Sequence, residues 1–233
     1  IEDMGADKFL GEPSLDIKDL MKTDSDGRGF VNIISAARLI NDKNLYSMFL
    51  LWLLSELFES LPEVGNPEIP KLVFFFDEAH LLFDNANKMI MDKIEQVVRL
   101  IRSKGVGIFF ITQNPLDIPD SISSQLGNRI VHQLRAFSPK ELKAVQKVSE
   151  TFRADNDMNV KDEIVNLRTG EALISFLDEK GAPSITKKGL VLPPHSSFTP
   201  LSQSDVDYIV KNSDLHQKYS QSIDRESAYE ILQ

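Results

Sequence analysis

The stretch KLVFFFDEAH, Lys71 to His80, decides how the rest of the chain is read. After Lys71 come five apolar residues, four of them the β-formers Val73, Phe74, Phe75 and Phe76, with no polar alternation. A short continuous run of this kind predicts a strand buried in a parallel sheet. It stops at two adjacent carboxylates, Asp77 and Glu78. In open parallel sheets, ligand-binding groups gather beyond the carboxyl ends of the strands, so an acid pair at such an end is a candidate site.

The flanking sequence continues the pattern. Ile90, Ile94, Val97, Val98 and Ile101 have the spacing of an amphipathic helix, predicted over Ala86 to Lys104, with Lys88, Lys93, Arg99, Arg102 and Lys104 on its outer face. Val106 to Thr112 reads as a second buried strand ending in Gln113, and Arg129 to Leu134 as a third. Ser138, Pro139 and Glu141 predict a capped helix over Pro139 to Thr151. Upstream, an arm or loop (IEDMGADKFLGEP) leads to a short helix from Leu15 to Met21 that Ser14 can cap. A turn at DSDGRG, a strand from Phe30 to Ile34, and a long helix from Asn41 or Asp42 to Leu61 follow, the last ended by Pro62 and Gly65-Asn66-Pro67. Residues 1–151 therefore predict an α/β core, a parallel sheet with helices on both faces. Residues 152–233 read as a C-terminal extension or interface arm. It holds a strand at Glu171 to Leu177, another at Gly189 to Leu192, the linker PPHSSFTPLS, and helices at Gln203 to Lys211 and Arg225 to Leu232.

Composition narrows the class. With 233 residues, 42% hydrophobic and 26% charged, the chain can hold one sizeable core and is expected to fold. A formal charge of −9 argues against a surface that coats nucleic acid or anionic membrane, while leaving room for a few basic residues at one place. The absence of cysteine excludes disulfides and a thiolate zinc site and suits a reducing, cytoplasmic setting. The longest apolar block, Met48 to Leu54, falls far short of the roughly 20 residues that span a bilayer, so no membrane partner is expected. The chain opens on Ile1 rather than Met, which suggests that it begins inside a longer protein.

An apolar strand that delivers Asp and then Glu suits nucleotide hydrolysis. Asp77 is the candidate holder of Mg²⁺, and Glu78 the candidate to orient or deprotonate the attacking water. The competing reading makes Asp77 a helix cap and Glu78 a first-turn acid favoured by the helix dipole. Gln113 brings an amide beside the acidic strand, where it can sense a γ-phosphate or hold the water, or else serve as a turn amide. His80 reads as a surface or cap histidine, with a coupling role as the other possibility. Arg129, in GNRIVHQL, is the candidate arginine finger toward a neighbouring subunit's phosphates, with Arg102 as the alternative. A solvated or structurally paired arginine competes with that role for both. DEAH also names a helicase superfamily, but the Ser-Ala-Thr strand end and second motor domain of those enzymes do not appear.

On GADKFLGEP (Gly5 to Pro13), LVFFFDEAH, VVRLIRSKGVGIFFITQNP (Val97 to Pro115) and GNRIVHQL (Gly127 to Leu134), the chain resembles the RecA-like motors of the HerA/FtsK group, most of all the HerA-like bacterial ATPases of the YjgR type. The resemblance covers residues 5 to about 150 well and the tail loosely. It implies a P-loop NTPase core using ATP and Mg²⁺, with Asp77 and Glu78 as the second nucleotide motif, Gln113 as sensor and Arg129 as finger. It also implies a homo-oligomeric, hexameric ring acting on duplex DNA in the full-length protein, with a nuclease as a further partner.

One departure is large. The phosphate-cradling GxxxxGK[ST] loop is absent, and no Gly-Lys pair occurs anywhere. The family places that loop upstream, so the expectation is a C-terminal part of the motor, inactive alone. Two rival readings stay open: an ATPase that works on a protein partner without gripping DNA, and a degenerate fold used as an interaction module.

Overall fold

Residues 13–35, 42–65, 67–84, 86, 88–155 and 157–221 are described by the computed structural model. A 3-10 helix, Ile17–Met21, comes first, followed by α1 (Lys43–Ser60), β1 (Leu72–Phe76), α2 (His80–Phe83) and α3 (Lys88–Leu100), which runs into a 3-10 turn at Ile101–Lys104. Then come β2 (Val106–Phe110), a 3-10 turn at Pro115–Asp117, α4 (Asp120–Ser123), β3 (Arg129–Val131), α5 (Pro139–Ser149) and α6 (Val160–Asn166). The chain closes with β4 (Glu171–Ser175), β5 (Lys187–Leu190), α7 (Gln203–Lys211) and α8 (His216–Tyr219). The class is mixed α/β, as expected. The helix anticipated at Arg225 to Leu232 and most of the Gly5 to Pro13 motif lie outside the described residues.

β1 and β2 pair in parallel and in register, Leu72 with Val106 through Phe76 with Phe110. One face of this pair, Leu72, Phe74, Phe76, Ile108 and Phe110, packs on the main core. That core is built from α1 (Leu50, Leu53, Leu54, Leu57), α3 (Ile94, Val97), Ile101 and Ile122. Each fully buried leucine or isoleucine there contributes about 1.5–3 kcal/mol. Asp42 accepts from the backbone of Leu45 at 3.1 Å to start α1, as its predicted start requires.

The other face of the pair is bare among the described residues. Val73, Phe75, Phe109 and Ile111 are between 38% and 65% exposed, and the rings of Phe75 and Phe109 stack at 4.8 Å. The apolar run predicts burial on both sides, whereas the described helices cover one.

Three further expectations are corrected. First, Phe30 to Ile34 is not a strand. Val31 and Ile33 are nearly fully exposed, and the segment faces β1 across a hollow of about 900 Å³ rather than pairing with it. β-propensity without a cross-strand partner does not make a strand. Second, β3 does not extend the parallel sheet. It pairs antiparallel with β4, which pairs antiparallel with β5. The solvent-facing Ile130 between half-buried Arg129 and Val131 gives it the alternation of a one-sided antiparallel strand. This sheet and α5–α6 enclose a second core of Val145, Val148, Phe152, Ile164, Leu167 and Leu173. Third, Lys104 is not on an outer face. It is buried, donates to the carbonyl of Leu61 at 2.7 Å and lies over the ring of Phe58.

Local signals hold well. The capping box of α5 is formed: Ser138 Oγ accepts from Glu141 N, and Glu141 Oε2 accepts from Ser138 N at 2.8 Å. The short N-terminal helix is capped by Asp16, not Ser14, and is of the 3-10 kind. The tail returns to this helix. Asp19, 7% exposed, accepts from Lys218 Nζ and Tyr219 OH at 2.6 Å each, and Lys22 Nζ stands 2.8 Å from its other oxygen. The hydrogen bond from Lys218, then those from Lys22 and Tyr219, hold the Asp19 carboxyl far below the usual range, and Asp19 in turn raises Lys218 above the ordinary lysine range.

Candidate functional site

The site is built where β1 and β2 end together. Beyond the last strand pairs the ladder continues, with Ile111 N donating to Phe76 O and Ala79 N donating to Ile111 O, both at 2.9 Å. These bonds turn the acidic segment over the end of the neighbouring strand. Asp77 follows directly from Phe76, and its Oδ1 accepts from the backbone of Glu78 at 3.0 Å. Glu78 then adopts a left-handed backbone, φ 49°, a conformation that costs a non-glycine residue about 1–3 kcal/mol. Buried Ala79, anchored to β2, holds the turn in place.

The consequence is a meeting across the strand ends. Gln113 Nε2 donates to Glu78 Oε1 at 2.8 Å, and His80 Nδ1 lies 3.3 Å from Glu78 Oε2. Gln113 is itself carried by a braced loop. Thr112 Oγ1 donates to Asp117 Oδ2 and Asn114 Nδ2 to Asp117 Oδ1, both at 3.0 Å, while Asn114 Oδ1 caps the turn by accepting from Leu116 N. Asp117 was not anticipated from the sequence. The signal was Asn114 ahead of Pro115, an Asx-turn pattern with an acid placed to close it. Tyr46, near the start of α1, was also missed. Burial and then the charge of Asp77 raise its phenol above the usual tyrosine range, which marks it as a neighbour of the acid.

Glu78 and Gln113 thus meet, with Asp77 the residue before Glu78, and the capping alternative for Asp77 is not what forms: α2 is preceded by Ala79 without a side-chain cap. The arginines lie elsewhere. Arg129 opens β3 in the antiparallel sheet, where it donates to the carbonyls of Ser123 at 3.1 Å and Thr151 at 3.4 Å. Burial lowers its pKa. Arg102 precedes β2, at the opposite end of the strand from Gln113. Of the basic residues on the outer face of α3, Lys93 stands 3.8 Å from Glu59 and over the ring of Phe58, packed against α1.

No group of three or more metal-ligating side chains occurs among the described residues. Asp77 is exposed, and one or two carboxylates with water and phosphate oxygens are what Mg²⁺ ordinarily takes. No helix of the described residues is long and apolar enough to cross a membrane.

The model of the family described as "Helicase HerA-like C-terminal" matches residues 1–233. The DNA double-strand break repair helicase HerA of Sulfolobus acidocaldarius is 30% identical over 99 residues, which are 42% of this chain and 19% of that protein. The HerA of Saccharolobus solfataricus is 26% identical over 152 residues, 63% of this chain and 29% of that one. The chain therefore spans less than a third of either relative. Among solved structures, the genome-packaging NTPase B204 of Sulfolobus turreted icosahedral virus 2, in complex with ATP-gammaS, superposes with a TM-score of 0.49 at 18% identity, over 78% of this chain and 74% of that one.

Proposed function

The chain belongs to the HerA-like C-terminal helicase family, and from that premise we propose that it is the part of an ATP-driven DNA-translocating motor that carries the hydrolytic acids. The observation that supports this reading is the meeting of Glu78 and Gln113, 2.8 Å apart, directly after Asp77 at the carboxyl end of a parallel pair. Bound Mg-ATP would supply the phosphoryl group and the cation that neutralises its charge. Asp77 would hold that ion. Glu78 orients the attacking water and accepts its proton, and the Gln113 amide fixes the carboxylate and reads the state of the γ-phosphate side. The finger is assigned to Arg129, acting in a neighbouring subunit, with Arg102 as the alternative; this assumes a homo-oligomeric ring, hexameric by family likeness. Duplex DNA is the substrate of the motor and a nuclease its further partner. The chain as given carries no phosphate-cradling loop and is expected to hydrolyse nothing by itself.

The test uses the full-length protein that contains this chain. Mg²⁺-dependent ATP hydrolysis is expected, stimulated by duplex DNA and less so as salt rises. Glu78→Gln should keep ATP binding and lower turnover by about 10²–10⁴-fold. Unchanged hydrolysis in that variant removes the role given to Glu78, and absence of DNA stimulation at low salt removes DNA as the substrate.

A further inference from the structure

The Glu78 carboxylate is held from two sides. Gln113 takes Oε1 from the neighbouring strand end, and the ring of His80 stands at Oε2 from the first residue of α2. An ionised carboxylate only accepts, so His80 contributes to this contact by presenting a proton on Nδ1. The backbone explains why both contacts coincide. The left-handed turn at Glu78 takes its side chain off the alternation of β1, swinging it toward β2 on one side and toward the start of α2 on the other. Backbone strain at one residue persists when the surroundings over-determine it, and here the surroundings include a contact to each oxygen.

We propose that His80 is a positioning residue for Glu78: with Gln113 it forms a two-point clamp that fixes the plane of the carboxylate, leaving its remaining lone pairs aimed at a single water. The proposal rests on the reading of Glu78 as the water-activating acid. Its content is geometric. A carboxylate held at one oxygen swivels about that contact, whereas one held at both presents a fixed direction, and misplacement of a reacting group by about 1 Å can cost up to about 100-fold in rate. His80 touches neither nucleotide nor water in this role. Its Nε2 points away from the contact and is not needed.

The side chains that could replace it make the test specific. Asparagine brings its amide nitrogen near the place of Nδ1, whereas glutamine reaches further, toward the place of Nε2. In the full-length protein, His80→Ala is expected to lower kcat by roughly 10- to 100-fold with KM for ATP within about twofold of wild type. His80→Asn should recover most of that loss, and His80→Gln little of it. Glu78→Gln serves as the reference. If Glu78→Gln abolishes turnover while His80→Ala keeps wild-type kcat, the clamp is wrong and the role of Glu78 stands. If Glu78→Gln turns over like wild type, both fall.

A second measurement needs no nucleotide. In this 233-residue chain the side-chain amide resonances of Gln113 report its bond to Glu78. They should shift and broaden in His80→Ala and stay in place in His80→Asn; unchanged resonances in His80→Ala overturn the proposal. Should His80→Ala not fold, the contrast between His80→Asn and His80→Gln decides: equal kcat in the two, at either level, removes the directional role.

Discussion

Gln113 donates its side-chain amide to Glu78 at 2.8 Å, joining residues 35 positions apart in sequence at the shared end of two parallel strands. Neither residue could reach the other without the in-register pairing of Phe76 with Phe110 and the two ladder bonds beyond it. The pair is therefore a sensitive reporter of that pairing.

Gln113→Glu should place a second carboxylate against the first. The repulsion between two partly exposed carboxylates is expected to cost about 1 kcal/mol and to shrink as salt screens it. Urea unfolding of the variant and wild type at low and high salt checks this; a stability gap that does not narrow at high salt means that the two side chains do not meet.

Arg129 ties α4 to the end of α5 through two carbonyls. Arg129→Ala should therefore destabilise this chain by about 1–3 kcal/mol in denaturant unfolding. Exposed Arg102 should cost much less when replaced by alanine. Full-length protein separates structure from catalysis. A finger acts in trans, so mixing an Arg129→Ala protein with a Glu78→Gln protein should restore some hydrolysis at their shared interfaces, which a purely structural arginine does not allow.

The bare aromatic face makes a contrast with the core. Leu57, fully buried in α1, should cost about 2–5 kcal/mol when replaced by alanine. Phe75→Ala removes a larger side chain but one that is 65% exposed and stacked on Phe109, and should cost about 1 kcal/mol or less. The same variant should bind less of a hydrophobic dye such as ANS. Equal losses of stability for the two variants would mean that Phe75 is covered in solution.

The tail anchor has a defined pH window. Asp19 is depressed, so its contribution is present above the unfolded value near 3.9 and is lost as pH falls below it. Lys218 is raised, so its contribution is complete below about 10.4 and is lost as pH climbs past that value. The anchor is thus expected to hold throughout the neutral range. Asp19→Asn should release α8 at pH 7, read as faster tryptic cleavage at Lys211, and should remove the acid-dependent release expected of wild type as pH falls below about 4.

What was legible in the sequence was mostly local. The capping box at Ser138 and Glu141, the bounds of α7 and the periodic face of α3 depend on neighbours a few residues away, and each formed as read. The acid pair and Gln113 were legible as strand ends, and the parallel pairing brings Glu78 and Gln113 together. Contacts decided elsewhere were not. Whether the second side of Phe75 is covered, whether Phe30 to Ile34 finds a strand to pair with, and which sheet takes Arg129 to Val131 are settled by elements that those segments do not encode. The same holds for Lys104, whose four-carbon stem suits a core rim as well as a solvated face, and for Asp117, which matters only once the loop has folded back on Thr112.

The union of Tyr219 with Asp16 and Asp19 puts the first and last described helices within a hydrogen bond of each other. Loosening either element therefore unfastens the other, so clipping the chain ahead of α8 should also free the Ile17–Met21 turn.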